Sequence, residues 1–229
     1  MIDESPLLTI ARRIERPNTD VIASFGGTPT SFIVDAMGGN GALDFRIKSI
    51  GLVRPFVGVA LTCNCGPADN LALCAAVAQC QPGDVLVAAT GGYIGASVVG
   101  DLLLGIAKNR GAAAFVTDGL VRDVNDIEAL QFPVFAMGAT PNSPSRNGPG
   151  TVGLTVQCGG LAIASGDIII GDRDGVVVVP LAAANGVLKA LSKIRVAEAQ
   201  MLSQVKEGLT EVGFVAELLA SWHVRRVDP

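Results

Sequence analysis

Residues 84–137 read DVLVAATGGYIGASVVGDLLLGIAKNRGAAAFVTDGLVRDVNDIEALQFPVFAM. Three apolar runs in this stretch predict buried strands, and the two segments that follow glycine-bearing loops predict helices. The predicted strands are Asp84–Ala89, Ala112–Val116 and Phe132–Met137, and the predicted helices are Asp101–Arg110 and Asp123–Leu130. A strand–helix–strand–helix–strand order implies parallel strands joined by right-handed crossovers, so the sequence predicts an α/β fold.

The flanking sequence extends this pattern on both sides. Before this stretch, the sequence predicts a helix, a strand and a second helix. The first of these helices starts with Thr28 as N-cap and Pro29 in the first helical position. After the stretch, the sequence predicts a long loop, a hairpin and a charged helix. These are the helix ending near Gly38-Gly39, the strand 54–65, the helix 70–79, the loop 139–150, the hairpin strands 167–170 and 176–179, and the helix 181–208 with a shorter one to Trp222. We interpret 1–180 as one α/β domain and 181–229 as a helical extension, packed on that domain or on a neighbouring subunit.

Composition excludes several classes of protein. Of 229 residues, 49% are hydrophobic and 17% charged, which excludes a disordered chain. The apolar runs are too short to span a bilayer, so we expect no membrane association. The net charge of −4, without a block of Lys or Arg, argues against nucleic-acid binding. Residues 1–16 mix charges with no apolar segment, so we expect no secretory signal and a cytoplasmic protein.

Cysteine and histidine usage narrows the chemistry. The five cysteines are odd in number, which disfavours a disulfide framework. Cys63 and Cys65 would share one face of a strand, but no His or second CxxC is near, so we interpret them as apolar filling of the core. The single histidine, His223, excludes every multi-His metal site and disfavours a Ser-His-Asp or Cys-His system. Catalysis must use carboxylates, Arg, Lys, backbone amides or a metal with oxygen ligands.

Two predicted loops deliver polar residues to one edge of the sheet, where parallel strands end and ligands gather. One loop brings Gly100-Asp101 to the start of a helix, whose free N–H groups favour a carboxylate or phosphate. The other brings Arg122, whose planar fork pairs with carboxylates, and Asp123, a hard oxygen ligand for Mg²⁺ or Mn²⁺. The simpler alternative is that Asp101 and Asp123 are N-caps and Arg122 a surface residue. Arg146 is a possible second carboxylate contact, against the alternative of a solvated arginine.

These residues carry a resemblance to a known family. Gly91-Gly92-Tyr93, Gly100-Asp101 and Asp118-Gly119-x-x-Arg122-Asp123, at this spacing, resemble the RraA-like family, in particular its aldolases for 4-hydroxy-4-methyl-2-oxoglutarate and 4-carboxy-4-hydroxy-2-oxoadipate. The elements around Pro82-Gly-Asp84 and Asp174-Gly175 match as well, and the similarity extends from about Thr19 to about Gly208.

The resemblance implies a fold and a set of roles. The fold would be a swivelling β/β/α sandwich that forms trimers or hexamers. Asp123 would hold Mg²⁺ or Mn²⁺, Asp101 would position or activate a water, and Glu198 would reach a neighbouring subunit's site. The implied catalytic residues are Asp101, Arg122 and Glu198, and the implied substrate-binding residues are Gly100, Asp101, Leu102, Leu103 and Arg122.

The predicted function is therefore a class II aldolase. It would cleave a 4-hydroxy-2-oxo acid of the kind met in aromatic compound degradation to pyruvate and a second 2-oxo acid, with oxaloacetate decarboxylation as a side activity. A Schiff-base mechanism is disfavoured because Lys48 and Lys108 lie away from the shared edge. The family's inhibitors of an RNA-degrading endonuclease supply the alternative, a non-catalytic regulator, although those members tend to stop where this chain continues past Pro180. A plain oxaloacetate decarboxylase is a third reading.

Overall fold

The computed structural model of the chain describes residues 6–51 and 53–228. The signal-peptide prediction falls partly on residues 1–5, which lie outside the described residues. The strands are β1 Leu8–Ile10, β2 Lys48–Ser49, β3 Phe56–Asn64, β4 Asp84–Ala89, β5 Ser97–Val99, β6 Ala114–Thr117, β7 Leu120–Val121, β8 Val134–Ala136, β9 Gly138–Ala139, β10 Gly150–Val152, β11 Val156–Cys158, β12 Leu161–Ile163, β13 Ile168–Gly171 and β14 Val176–Val179. The helices are α1 Thr19–Ala23, α2 Thr30–Ala36, α3 Leu71–Gln79, α4 Asp101–Asn109, α5 Val124–Leu130, α6 Ala184–Lys206 and α7 Gly213–Leu219, with a 3-10 turn at Leu181–Ala183.

The main sheet is built on four parallel strands in the order β3, β4, β6, β8. The hairpin β13–β14 pairs antiparallel with β3, and β1, β10 and β2 complete the sheet. All six residues of β4 are buried, as expected for a parallel strand covered on both faces. The predicted α/β order and the hairpin at Asp174-Gly175 are therefore confirmed.

Alternate residues of the central strands serve two different cores. Leu86 and Phe115 pack with helices α3, α4 and α5, whereas Val87 and Val116 pack with β11, β12 and the inner face of the β13–β14 hairpin. Because side chains of a strand alternate between faces, a wholly apolar strand supplies both layers at once. Helices thus cover one face of the sheet and short strands the other.

The two loops predicted at the carboxyl edge are more ordered than the sequence suggests. Residues 90–100 contain β5 and residues 117–122 contain β7. With β9 these strands form a separate parallel sheet, in the order β5-β7-β9, which we call the small sheet. Strands of two or three residues carry too little periodicity to be predicted, so this sheet corrects the loop prediction.

The start of α2 also differs from the prediction. Pro29 is the N-cap residue, not the first helical residue, and no side chain of its own segment caps the helix. Instead, the Asp172 carboxylate accepts hydrogen bonds from the backbone N–H and the hydroxyl of Thr30, both at 2.8 Å. A cap from a residue this distant in sequence satisfies the free N–H groups as well as a local cap would, and it ties α2 to the β13–β14 turn.

The buried residues of the C-terminal helix α6 lie in its first turns, and farther along Arg195 donates to the Ser24 carbonyl at 3.1 Å and to the Thr28 hydroxyl. Ala184, Val187 and Leu191 are buried in a third core cluster with α2 and the outer face of the β13–β14 hairpin. Beyond Leu191 no residue of α6 or α7 is buried, and Phe214 and Trp222 are 67% and 87% exposed. The division of the chain at residue 180 stays a prediction. No helix in the described part of the chain has the length and apolar character to cross a bilayer.

Candidate active site

The small sheet brings the two predicted site segments side by side. Gly100 follows β5 directly and Arg122 follows β7, and the backbone N–H of Arg122 donates to the carbonyl of Val99 at 3.0 Å. The residue after β9 is bonded to β7 in the same way, since the backbone N–H of Thr140 donates to the Val121 carbonyl at 2.9 Å. The small sheet therefore places side by side the residues that follow its three strands, Gly100, Arg122 and Thr140.

The first segment is the N-terminus of α4. Gly100 is the N-cap residue and makes no side-chain cap, while Asp101 lies in the first helical turn. The alternative that Asp101 is a simple N-cap is therefore wrong. The Asp101 carboxylate makes no hydrogen bond or ion pair with any described residue, so it is available to a ligand or a water. The N–H groups of the first turn also lack helical partners, and they favour an anion.

The second segment is the pair Arg122–Asp123. Arg122 Nε lies 3.2 Å from Asp123 Oδ2, and the Arg122 guanidinium donates to the hydroxyl of Ser143. The Nε atom is buried, and among the described residues it has an ion-pair neighbour but no hydrogen bond of acceptable geometry. The side chains of Arg122 and Asp123 are 38% and 36% exposed, so both remain accessible to solvent and ligands.

Asp123 has an unusual backbone conformation. It is the N-cap of α5 with φ +61°, in the left-handed region, and its side chain makes no cap hydrogen bond. The N-cap alternative for its carboxylate is therefore wrong as well. Left-handed backbone at a residue other than glycine costs free energy, and such strain clusters at functional sites. The strained backbone aims the carboxylate at Gly100 and away from its own helix.

The absence of a side chain at Gly100 is what makes room for that carboxylate. A Cβ atom built on Gly100 would lie 2.3 Å from Asp123 Oδ2 and 3.0 Å from Arg122 Nε, closer than atoms approach. The φ of Gly100 is −127°, which any residue adopts, so close approach and not backbone freedom requires glycine here.

A cleft of about 460 Å³ opens at this place. It is lined by Arg122, by the α4 start and by residues at or near α3 and in the loop after β9. Its lining residues include Gly100, Asp101, Leu102, Leu103, Arg122, Ser143 and Arg146. Asp123 borders an adjoining hollow of about 330 Å³, which also borders Arg122. Arg122 thus lies between the cleft and the Asp123 carboxylate.

Arg146 is an exposed residue that lines the cleft, and the sequence does not indicate how its loop is held in place. Its loop is held by Asp69, which is 7% exposed and accepts hydrogen bonds from Ser145 Oγ at 2.9 Å and from the backbone N–H groups of Asn147 and Gly148. Burial raises the pKa of Asp69, but these hydrogen bonds and one from Leu71 N–H outweigh it, so the net pKa lies below the ordinary value. The clamp joins residues far apart in sequence, and no local signal announces it.

The single chain does not bring Glu198 to the cleft. It lies on α6 beside Arg195, Thr28 and Phe32, in a separate hollow of about 570 Å³. This position leaves open the prediction that Glu198 reaches the site of a neighbouring subunit. The lysines considered for a Schiff base are elsewhere too, since Lys108 Nζ donates to the Leu130 carbonyl and Lys48 Nζ to the Asp174 carbonyl.

Metal binding at this site would depend on few protein ligands. Among residues 6–51 and 53–228, no cluster of three or more His, Cys, Asp or Glu side chains is arranged to hold a metal. The Asp123 carboxylate, without a hydrogen bond and facing the space left by Gly100, fits a hard cation that keeps most of its waters. Cys63, in β3, and Cys65, just after it, have sulfur atoms 3.8 Å apart, and both are buried, so they are core residues. The hydrogen bond with the Cys65 thiol, together with burial, raises the pKa of Cys63.

Comparison with known proteins identifies the family. The family model described as "RraA-like: Aldolase/RraA" matches residues 30–178. A protein of Halalkalibacterium halodurans named "Putative 4-hydroxy-4-methyl-2-oxoglutarate aldolase" is 38% identical over 174 residues, 76% of this chain and 83% of that protein. Among solved structures, Streptomyces coelicolor RraAS2, described as an unusual member of the RNase ES inhibitor RraA family, gives a TM-score of 0.73 at 28% identity, covering 83% of this chain and 98% of that one. The RNA-processing inhibitor RraA from "Thermus thermophilis" gives 0.62 at 26% identity, covering 67% and 93%.

The mixed α/β architecture with its C-terminal helix, the family model and these structural neighbours agree with one another. The sequence motif that first suggested the family lies within the matched residues, and three of its residues, Gly100, Asp101 and Arg122, line the cleft. This chain belongs to the RraA-like family.

Proposed function

We propose that the protein is a divalent-metal-dependent aldolase that cleaves a 4-hydroxy-2-oxo acid to pyruvate and a second 2-oxo acid. The observation that carries the proposal is the position of Arg122, which lies beside both the α4 start and the Asp123 carboxylate and opens into the cleft. The relative named as an aldolase supports the reaction class.

Arg122 and the α4 start would bind the 2-oxo carboxylate. The guanidinium already donates to Ser143, and Arg122 lines a cleft that the first residues of α4 also line. A carboxylate bound by a guanidinium and by helix N–H groups is fixed in position and orientation. Because Ser143 and Asp123 hold the guanidinium, little side-chain freedom is lost when the substrate binds.

Asp101 is suited to move the proton. Its carboxylate has no partner among the described residues and lies one residue beyond Gly100. Through a water, Asp101 would take the proton from the C4 hydroxyl. The C3–C4 bond then breaks, C4 becomes the carbonyl of the departing 2-oxo acid, and the electron pair of the broken bond forms pyruvate enolate. Proton return to C3 gives pyruvate.

Asp123 would hold the metal, Mg²⁺ or Mn²⁺. When bound, such a cation supplies a Lewis acid that stabilises negative charge on the 2-oxo oxygen. Arg122 Nε, 3.2 Å from Asp123 Oδ2, would keep that carboxylate oriented. Decarboxylation of oxaloacetate needs the same enolate stabilisation, so we propose it as a side activity.

We also propose that the working form is a trimer or hexamer in which Glu198 completes a neighbour's site. The exposed apolar residues of α6 and α7, such as Leu202 and Phe214, support burial of this extension against another chain. Mixing subunits carrying Arg122→Ala with subunits carrying Glu198→Gln tests this. If sites are shared, about one quarter of them regain both residues and activity returns in the mixture. If the mixture is no more active than the separate variants, the sites are not shared between subunits.

The test of the function itself is pyruvate release. Purified protein is offered 4-hydroxy-4-methyl-2-oxoglutarate, 4-carboxy-4-hydroxy-2-oxoadipate and oxaloacetate, with Mg²⁺ and then with excess EDTA. We expect release that EDTA abolishes and Mg²⁺ restores. No release from any of the three, with or without metal, would refute the aldolase.

The relatives described as RNA-processing inhibitors favour a second candidate, a regulator that binds an RNA-degrading endonuclease. Stoichiometric inhibition of such an endonuclease, unchanged in the Arg122→Ala variant and accompanied by no pyruvate release, would favour this candidate over the enzyme.

A further inference from the structure

We propose that Arg146 binds a second carboxylate, at the end of the substrate remote from the 2-oxo group, and so selects dicarboxylic over monocarboxylic 2-oxo acids. The inference rests on the proposed function for the identity of the substrate, because it takes the first carboxylate to lie on Arg122.

Two arginines line one cleft from different elements. Arg122 extends from the end of β7, and Arg146 from the loop after β9. Within the described part of the chain, the Arg146 guanidinium makes no hydrogen bond and no ion pair. Its charge is nevertheless felt inside the cleft, where it opposes the rise that burial causes in the pKa of Cys74, another lining residue. Arg146 is therefore an exposed residue of the cleft lining, and its guanidinium has no partner among the described residues.

The backbone on both sides of Arg146 is fixed. Ser145 and Asn147 both donate to the buried carboxylate of Asp69, and Asn70 N–H donates to the Ser145 carbonyl at 3.0 Å. Asn70 in turn donates from its side chain to the Val98 carbonyl of the small sheet at 3.0 Å. An arginine on a clamped loop loses less freedom on binding than one on a mobile loop, which makes it suited to selectivity.

The charges in the cleft fit a ligand with two negative groups. The lining supplies two guanidinium groups and one carboxylate, Asp101, while Asp123 faces the adjoining hollow. A monocarboxylic 2-oxo acid would pair with Arg122 and leave Arg146 in water. A substrate with a second carboxylate pairs with both, and each charge-assisted pair adds affinity.

The test compares binding of two substrate analogues that differ in one carboxylate. Saturation by 2-oxoglutarate and by 2-oxobutyrate is measured by calorimetry, in the presence of Mg²⁺, for the wild type and for Arg146→Gln, Arg146→Lys and the distant control Arg173→Gln. We expect the wild type to prefer the dicarboxylate roughly tenfold or more. Arg146→Gln should remove that preference while 2-oxobutyrate binding stays unchanged, Arg146→Lys should restore part of it, and Arg173→Gln should leave it intact.

This measurement separates the two ideas. If the preference is present and Arg146→Gln removes it, the inference stands even where no pyruvate is released, and only the aldolase fails. If Arg146→Gln binds both acids as the wild type does, or weakens both equally, the inference is overturned whatever the pyruvate assay shows.

Discussion

The substitution Arg122→Ala tests the proposed mechanism most directly. It removes the guanidinium that would bind the substrate carboxylate, the hydrogen bond to Ser143 and the neighbour of Asp123 Oδ2 at 3.2 Å. Removing one partner of a fully buried charged pair costs about 2–5 kcal/mol. The Arg122 side chain is 38% exposed, and solvent screening places the loss in the lower part of that range, about 2–3 kcal/mol. That corresponds to a fall in kcat/KM of roughly 30- to 150-fold.

The assay is steady-state pyruvate release with Mg²⁺, beside thermal unfolding and a titration of Mn²⁺ binding. We expect unfolding to change little, and Mn²⁺ binding to be no weaker, because removing a neighbouring cation favours a metal on Asp123. Arg122→Lys should recover part of the rate, since lysine keeps the charge but not the fork. Arg46→Ala, which removes an exposed pair with Asp44 outside the cleft, is the matched control and should be neutral. A kcat/KM within twofold of wild type for Arg122→Ala would refute the assigned role.

Three further outcomes follow from the geometry. Asp123→Asn should fold normally yet lose Mn²⁺ binding by calorimetry, whereas Asp123→Ala should also lose about 1 kcal/mol of stability at φ +61°; equal stabilities would contradict the strain argument. Gly100→Ala should displace the Asp123 carboxylate and weaken Mn²⁺ binding. The control Gly105→Ala, where a Cβ atom would lie 3.7 Å from its nearest neighbour, should raise the free energy of unfolding by about 0.5–1 kcal/mol and leave Mn²⁺ binding unchanged. Equal effects of the two substitutions on Mn²⁺ binding would count against the site. Because the folded-state pKa of Asp69 lies below 3.8, its stabilisation holds above that pH and is lost as pH falls through the folded value. The protection of the amides of residues 145–148, measured as the exchange rate relative to that of an unstructured peptide at the same pH, should therefore fall on acidification. Equal protection in the wild type and in Asp69→Asn at pH 6 would exclude this clamp.

Much of the framework could be predicted from the sequence because it is encoded locally. The strand 84–89 was predicted with its observed bounds, since five consecutive apolar residues after Asp84, between turn signals, permit few other structures. The β13–β14 hairpin was predicted from Asp174-Gly175. The joint position of Gly100, Arg122 and Asp123 followed from the rule that parallel strands end at one edge, and the structure brings the three together.

The remaining features depend on contacts between residues remote in sequence. The small sheet exists because three crossovers pair with one another, and no strand in it exceeds three residues. The role of Pro29 was wrongly predicted because Asp172, which caps Thr30, lies 142 residues away. Arg146 is exposed, as the solvated alternative has it, but the Asp69 clamp on its loop joins Asp69 to Ser145, 76 residues away, and has no local signature.

The small sheet also bears on how this scaffold tolerates changes of length. Residues 91–96 before β5 are largely exposed, and Gly91 and Gly92 have space around them, so an added residue there would be taken up by the loop. One residue added between Val99 and Gly100 would instead rotate the first turn of α4 by about 100°. Insertions in the exposed loop before β5 are thus compatible with this architecture, whereas insertions within β5 or directly after it are not.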